Sequence, residues 1–148
     1  MSQLYDKTKT TRASKVDLIR KWYILDASKE PVGRLATKAA RLLMGKNRAD
    51  FQPDVDMGGV VVVINSKKLV FTGTKMKRKV YFRYDNGRIG SLKHRTMEQQ
   101  MDKDSTRPIY LAIRRMLPKN RHQDIRMNNR LHILTGEKHG FTQQLEIA

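Results

Sequence analysis

The sequence predicts an α/β fold, and three consecutive segments carry this prediction. Residues 22–27 form a short aromatic and aliphatic segment, residues 34–44 have the apolar periodicity of a helix, and Val60–Ile64 is an unbroken apolar run rich in valine. β-Branched residues favour strands, and an apolar run without alternation indicates a strand that is covered on both faces. A strand, a helix and a doubly buried strand form a βαβ unit, in which the two strands are parallel and the crossover is right-handed.

Shorter elements are predicted along the rest of the chain. Residues 79–84, which include three aromatic side chains, are predicted as the next strand, and residues 131–134 as the last one. Thr96 and Gln99 have the spacing of a capping box, which predicts a short helix after Thr96. Residues 108–117 repeat apolar side chains at helical spacing, so a second amphipathic helix is expected there.

Length and composition predict one domain with extensions. The 148 residues divide into a basic N-terminal arm at 1–21, a single α/β domain at 22–136 and a C-terminal tail at 137–148. The sequence contains no cysteine, which excludes a disulfide scaffold, a thiolate zinc site and a cysteine nucleophile. The longest apolar run has five residues, against the roughly 20 that span a bilayer.

The N-terminal arm bears on the predicted location of the protein in the cell. It has no apolar segment of the kind that directs secretion, so we expect a soluble protein of the cytoplasm. A mitochondrial presequence is the alternative interpretation of the arm. Presequences are poor in acidic residues, whereas the arm contains Asp6 and Asp17.

The charge of the chain indicates a polyanionic partner. Lys and Arg number 31 against 14 Asp and Glu, which gives a formal net charge of +17. Residues 67–95 contain ten basic residues and one acid, and residues 114–130 contain six and one. Like charges repel each other in a compact domain, so such a chain is typical of nucleic-acid binding, with an anionic membrane surface as the alternative.

The arrangement of residues within the denser basic segment favours RNA over catalysis. Basic, aromatic and glycine residues alternate through residues 75–90, so phosphate neutralisation and base stacking can combine there. No phosphate-binding or dinucleotide-binding glycine motif is present, and the four histidines lack metal-ligand spacing. Asp54 and Asp56 can be interpreted as a Mg²⁺ site of a nuclease, or as residues that shape their own loop by hydrogen bonding, which we favour.

Several motifs closely resemble the bacterial and organellar form of the large-subunit ribosomal protein thirteen family. They are WYILDA at 22–27, PVGRLAT at 31–37, DVDMG at 54–58, VFTGTK at 70–75 and MLPK at 116–119. The resemblance extends from residue 22 to about residue 134. The sequence departs from the family at Ser91, at Arg115, and in residues 120–126, where the usual glycine turn is missing.

The resemblance implies both a fold and a function. It implies a three-layer α/β/α fold with a four-stranded parallel sheet, carrying a basic N-terminal arm and basic loops. It also implies a structural constituent of the large ribosomal subunit that binds large-subunit rRNA, lies beside other ribosomal proteins and joins early in assembly. No catalytic residue, metal site, cofactor, small-molecule substrate or membrane partner is expected, and the ribosome could be cytoplasmic or organellar.

Fourteen basic residues are the predicted RNA contacts, because each lies in a loop or a dense basic segment. They are Lys46, Arg48, Lys75, Lys77, Arg78, Lys79, Arg83, Arg88, Lys93, Arg95, Lys119, Arg121, Arg126 and Arg130. Each is expected to neutralise phosphate, and arginine can also stack or bind in a bidentate manner. The same charge would also suit a regulatory RNA-binding protein that acts off the ribosome, which is the alternative function.

Overall fold

The fold was examined in a computed structural model, which describes residues 20–84, 87, 89–141 and 145–147. For residues 145–147 only the backbone is described. The predicted N-terminal arm therefore lies outside the described residues, except for Arg20 and Lys21.

A parallel sheet forms the centre of the protein. Strand β1 (Trp22–Asp26) pairs with β2 (Val60–Ile64) so that Ile24 lies opposite Val62. Strand β2 also pairs with β5 (Leu131–Ile133), and β1 pairs with β6 (Leu145–Ile147), which gives the order β5-β2-β1-β6. The predicted α/β class and parallel sheet are confirmed. Strand β6 lies within residues 137–148, the span predicted as a tail.

The segment predicted as the next strand does not join this sheet. Strand β3 (Val80–Tyr84) pairs antiparallel with β4 (Leu92–Thr96) in a separate two-stranded sheet. The connection between them contains Gly87 and Gly90 with φ of 70° and 81°, values that suit glycine in a tight turn. The two strands therefore form a local hairpin, which confirms the strand predicted at 79–84 and places it outside the central sheet.

Helices cover the sheet on the side where the main core lies. Helix α1 (Val32–Met44) and helix α4 (Thr106–Met116) confirm the two predicted amphipathic helices, each starting two residues earlier than expected. Side chains from both helices, including Leu35 and Ile109, bury themselves against Val61 and Val63. This packing fixes α1 relative to the sheet, and the loop that carries Lys46 and Arg48 follows the end of this helix.

Three further helices are short. Helix α2 is Lys75–Arg78, α3 is Met97–Lys103 and α5 is Arg121–Asn129. Helix α3 begins with the predicted capping box, in which the Gln99 amide donates to Thr96 Oγ1 (3.3 Å) and the Thr96 amide donates to Gln99 Oε1 (3.1 Å).

The loop between α1 and β2 packs on the end of α1 without space for a side chain. A Cβ atom at Gly58 would lie 1.8 Å from the carbonyl oxygen of Leu43, and one at Gly59 would lie 2.6 Å from the carbonyl oxygen of Lys21. The Gly59 amide also donates to the Leu42 carbonyl (3.2 Å). The two glycines allow the loop backbone to approach the helix closely.

We expect Gly58→Ala to lower the free energy of unfolding by about 2 kcal/mol or more, because backbone atoms must move to admit the methyl group. Gly140→Ala is the matched control, since a Cβ atom there meets nothing within 4 Å. Chemical denaturation of both variants tests this prediction, and equal stability of the two would contradict it.

Candidate nucleic-acid interface

Most of the predicted contact residues in 75–95 line two adjoining concave surfaces. The first, here called the apolar pocket, has a volume of about 540 Å³ and lies between the start of α1, helix α2 and helix α4. The second, here called the basic groove, has a volume of about 870 Å³ and lies between the hairpin, α3 and α4. Tyr81, Leu111 and Arg115 line both, so the two surfaces are continuous.

The hairpin presents its cations on one face. Arg83 lies opposite Lys93 and Tyr81 lies opposite Arg95, and these four side chains share a face because strand side chains alternate. That face lines the basic groove. The alternation of VYFRY and LKHRT is therefore the reason that the basic residues of the hairpin come together.

The opposite face of the hairpin carries exposed aromatic and apolar groups. Phe82 is 66% exposed and Tyr84 is 76% exposed, and they lie opposite His94 and Leu92. Tyr81, in contrast, is half-buried, and its hydroxyl lies 3.5 Å from Met97 Sδ. Packing within the domain therefore accounts for Tyr81, whereas Phe82 is exposed to solvent.

Lys75, Arg78 and Lys79 line the apolar pocket, which also receives Arg115 from α4. The Lys79 ammonium lies 5.2 Å from the centre of the Tyr81 ring. Burial lowers the pKa of Lys79, and the positive charges of Arg115 and Lys75 lower it further. The cations are therefore close enough to destabilise one another, and an anion bound among them would reverse that effect.

Helix α4 contributes to the groove, which was not predicted from the sequence. Arg107, Leu111 and Arg115 are spaced by four residues, which places them along one stripe of the helix. Arg107 and Arg115 line the basic groove, together with Lys103 of α3. The spacing of these arginines was the signal in the sequence that could have identified them.

Lys46 and Arg48 lie in a different region, after the end of α1. Arg48 Nε and Nη2 donate to the two carboxylate oxygens of Asp50, both at 2.9 Å, and this pairing raises the pKa of Arg48. Asn47 donates to the Tyr23 hydroxyl (2.9 Å). This loop lies beside Gly59, before β2 begins, whereas the apolar pocket lies beyond the end of β2. The two basic regions are therefore at opposite ends of the sheet.

The remaining predicted contacts have mixed positions. Lys77 is exposed on α2 but lines neither concave surface, and Lys119 and Arg121 are exposed where α4 connects to α5. Arg88 lies outside the described residues.

Arg126 and Arg130 are not surface cations, which corrects the prediction that they are presented to phosphate. Both are buried, at 3% and 6% exposure. Arg126 Nε donates to Asp56 Oδ1 (3.2 Å) and Arg130 Nη1 to the same oxygen (3.0 Å), while Arg130 Nη2 pairs with Oδ2. Burial, together with the neighbouring charge of Arg20, lowers the pKa of Arg130 to about 10, so it remains protonated at neutral pH.

The same pairing bears on the interpretation of Asp54 and Asp56 as a Mg²⁺ site. Both carboxylate oxygens of Asp56 are engaged by guanidinium groups, and this charge arrangement disfavours a cation. Within the described residues, no group of three His, Cys, Asp or Glu side chains is arranged to hold a metal ion. The helices of the same residues are all too short or too polar to cross a bilayer.

Comparison with known proteins identifies the family. Residues 20–140 match the family described as ribosomal protein L13. The chain belongs to the ribosomal protein L13 family. A relative from Thermotoga petrophila, named large ribosomal subunit protein uL13, is 42% identical over 144 residues, which cover 97% of this chain and 95% of the relative.

Two further L13 relatives carry the same name. The protein of Persephonella marina is 43% identical over 136 residues, covering 92% of this chain and 89% of its own. The protein of Clostridioides difficile is 42% identical over 132 residues, covering 89% and 91%. The L13 match spans the apolar pocket, the basic groove and the ion pairs of Asp56 with Arg126 and Arg130, and it confirms the resemblance found in the sequence.

We expect Asp56→Asn to lower the free energy of unfolding by about 3 kcal/mol or more, because it leaves two buried guanidinium groups without their carboxylate. Asp50→Asn is the matched control. It removes an exposed partner of Arg48, and exposed pairs contribute little. Urea denaturation measures the free energy of unfolding of both variants. Equal destabilisation by Asp50→Asn and Asp56→Asn would contradict a special role for the ion pairs of Asp56.

Proposed function

We propose that this L13 family member is a structural constituent of the large ribosomal subunit and binds large-subunit rRNA. The observation that carries the proposal is the continuous surface formed by the apolar pocket and the basic groove. Nine Lys or Arg side chains line it, and Asp104 is the one acidic side chain among its described lining residues. A concave surface with this charge suits the phosphate backbone of RNA.

The mechanism we propose is placement rather than chemistry. The parallel sheet and its helices hold cations at both ends of β1 and β2, so one rigid body can contact phosphates of more than one RNA segment. Neutralising phosphates releases counterions, which makes such binding strong at low salt and weaker as salt rises. We assign the protein no catalytic step and no cofactor.

The remaining parts of the predicted organisation belong to the same proposal. The arm at 1–21 contains six basic and two acidic residues, a composition that supports a role as an RNA clamp beside the domain at 22–136. We propose the three-layer α/β/α fold of the family; pairing of β6 with β1 supports its four-stranded parallel sheet and brings part of the predicted tail at 137–148 into that sheet. We place the protein on the cytoplasmic ribosome, beside other large-subunit proteins, with an organellar ribosome as the alternative.

Neutralising three arginines of the basic groove tests the proposal, because it should reduce the salt dependence of RNA binding. In the variant Arg83→Gln, Arg95→Gln, Arg107→Gln, we expect the slope of log K against log salt for binding to large-subunit rRNA to fall by about 2 to 3 in magnitude. Each lost phosphate contact removes about one unit from that slope. Fluorescence anisotropy over a salt series measures it.

The matched control neutralises the same number of exposed cations away from both concave surfaces. Lys29, Lys67 and Lys68 are suitable, because they are exposed and line neither the pocket nor the groove. The proposal predicts that Lys29→Gln, Lys67→Gln, Lys68→Gln leaves the slope nearly unchanged. Equal slopes for the two variants would mean that the groove is not the RNA-binding surface.

A further inference from the structure

The apolar pocket combines two properties that phosphate binding alone does not require. Its lining includes the apolar side chains of Phe71, Leu111, Ala112 and Met116, here called the apolar floor, and Met116 is 49% exposed. Its volume of about 540 Å³ lies within the range of about 300–1,000 Å³ that is typical of pockets for small molecules. A cation site for backbone phosphates would need no such apolar floor.

The rim of the pocket is strongly positive and lacks compensating charge. Lys75, Arg78, Lys79 and Arg115 line it, and no acidic side chain does so among the described residues. None of these four cations forms a salt bridge within the described part of the chain. Burial lowers the pKa of Lys79, and the nearby charges of Arg115 and Lys75 lower it further. The pocket therefore suits an occupant with an apolar, flat body and anionic groups beside it.

The connection to the basic groove indicates where such an occupant comes from. The shared residues Tyr81, Leu111 and Arg115 form a common wall, so a polyanion bound along the groove continues directly to the mouth of the pocket. Thr72 and Thr74 add hydroxyl groups to the lining. An unpaired RNA nucleotide has the required chemistry, since the flat π face of its base packs against apolar side chains and phosphates flank it on both sides.

We propose that the apolar pocket receives one unpaired nucleotide of the RNA that lies in the basic groove. The base enters between Phe71, Leu111 and Met116, and the flanking phosphates meet the cations of the rim. This inference rests on the proposed function and adds to it a single-nucleotide site. The groove then holds the backbone, while the pocket sets the register of the RNA on the protein.

The direct test places a photo-crosslinking residue in the pocket of the complete chain within assembled large subunits. Met116 is replaced by benzoylphenylalanine, and Ile125, which is 40% exposed on α5, is replaced in a control. We expect irradiation to join residue 116 to rRNA and to stop reverse transcription at one nucleotide. The Ile125 control should not produce that stop.

Two results would overturn the inference. A crosslink from residue 116 to a neighbouring protein would assign the pocket to an acidic protein segment, and the lack of any RNA crosslink in subunits that contain the variant would exclude the nucleotide. If the groove variant still shows its predicted salt dependence, only the nucleotide site fails. If that dependence is absent too, the proposed rRNA binding fails with it.

A second variant keeps the inference testable if the bulky residue at 116 blocks incorporation. Arg115→Gln leaves the apolar floor intact and removes one rim charge. We expect a single nucleotide of the rRNA in these subunits to become at least twofold more reactive to 2′-hydroxyl acylation than in wild-type subunits. Unchanged reactivity throughout the rRNA would contradict the inference.

Discussion

The carboxylate of Asp56, whose side chain is 13% exposed, is the group on which the arrangement of the domain depends. It joins the loop before β2 to Arg126 of α5 and to Arg130, which directly precedes β5. Arg130 also donates to the Gly58 carbonyl (3.2 Å), and Arg20 donates to the same oxygen (2.7 Å). Removing ions from water is costly, so these groups are stable in the interior only as a hydrogen-bonded set. The set fixes a loop, a helix and the entry to a strand relative to one another.

The cations of this protein fall into two groups with different roles. Arg126 and Arg130 are buried and find their counter-charge within the domain, so they serve the fold. The cations around the apolar pocket line a surface with no acid among its described residues, an arrangement that favours an anionic partner. The net charge of +17 therefore includes a buried cluster, in which Asp56 offsets part of the charge of Arg126 and Arg130, and an exposed surface that we propose binds phosphate.

The sequence predicted those helices and strands whose own residues form a recognisable pattern. The valine-rich Val60–Ile64, the amphipathic α1 and α4 and the capping box of α3 each carry their own evidence. Helix α5 was missed because it buries Gln123, Arg126 and Met127, a set without an apolar stripe. Strand β4 was missed because LKHRT has little apolar alternation, and it is a strand only through its pairing with β3.

The candidate RNA-binding surface could be predicted only where its residues lie close together in the sequence or follow strand alternation. Lys75, Arg78 and Lys79 are adjacent in sequence, so their grouping was visible, and the hairpin cations follow from strand alternation. The burial of Arg126 and Arg130 was not visible, because their partner Asp56 is 70 and 74 residues away in the chain. No local pattern distinguishes an arginine that will meet an internal carboxylate from one that will meet phosphate.

The most direct test of the central claim is sedimentation of a gentle cell lysate through sucrose gradients at low and high salt, with this chain detected in every fraction. A constituent of the large subunit, held by many phosphate contacts and enclosed by RNA, should sediment with that subunit and remain there at high salt. Peripheral phosphate contacts weaken steeply as salt rises. Recovery of the chain mainly in light fractions, or its release at moderate salt, would contradict the account and favour a regulatory RNA-binding protein that acts off the ribosome.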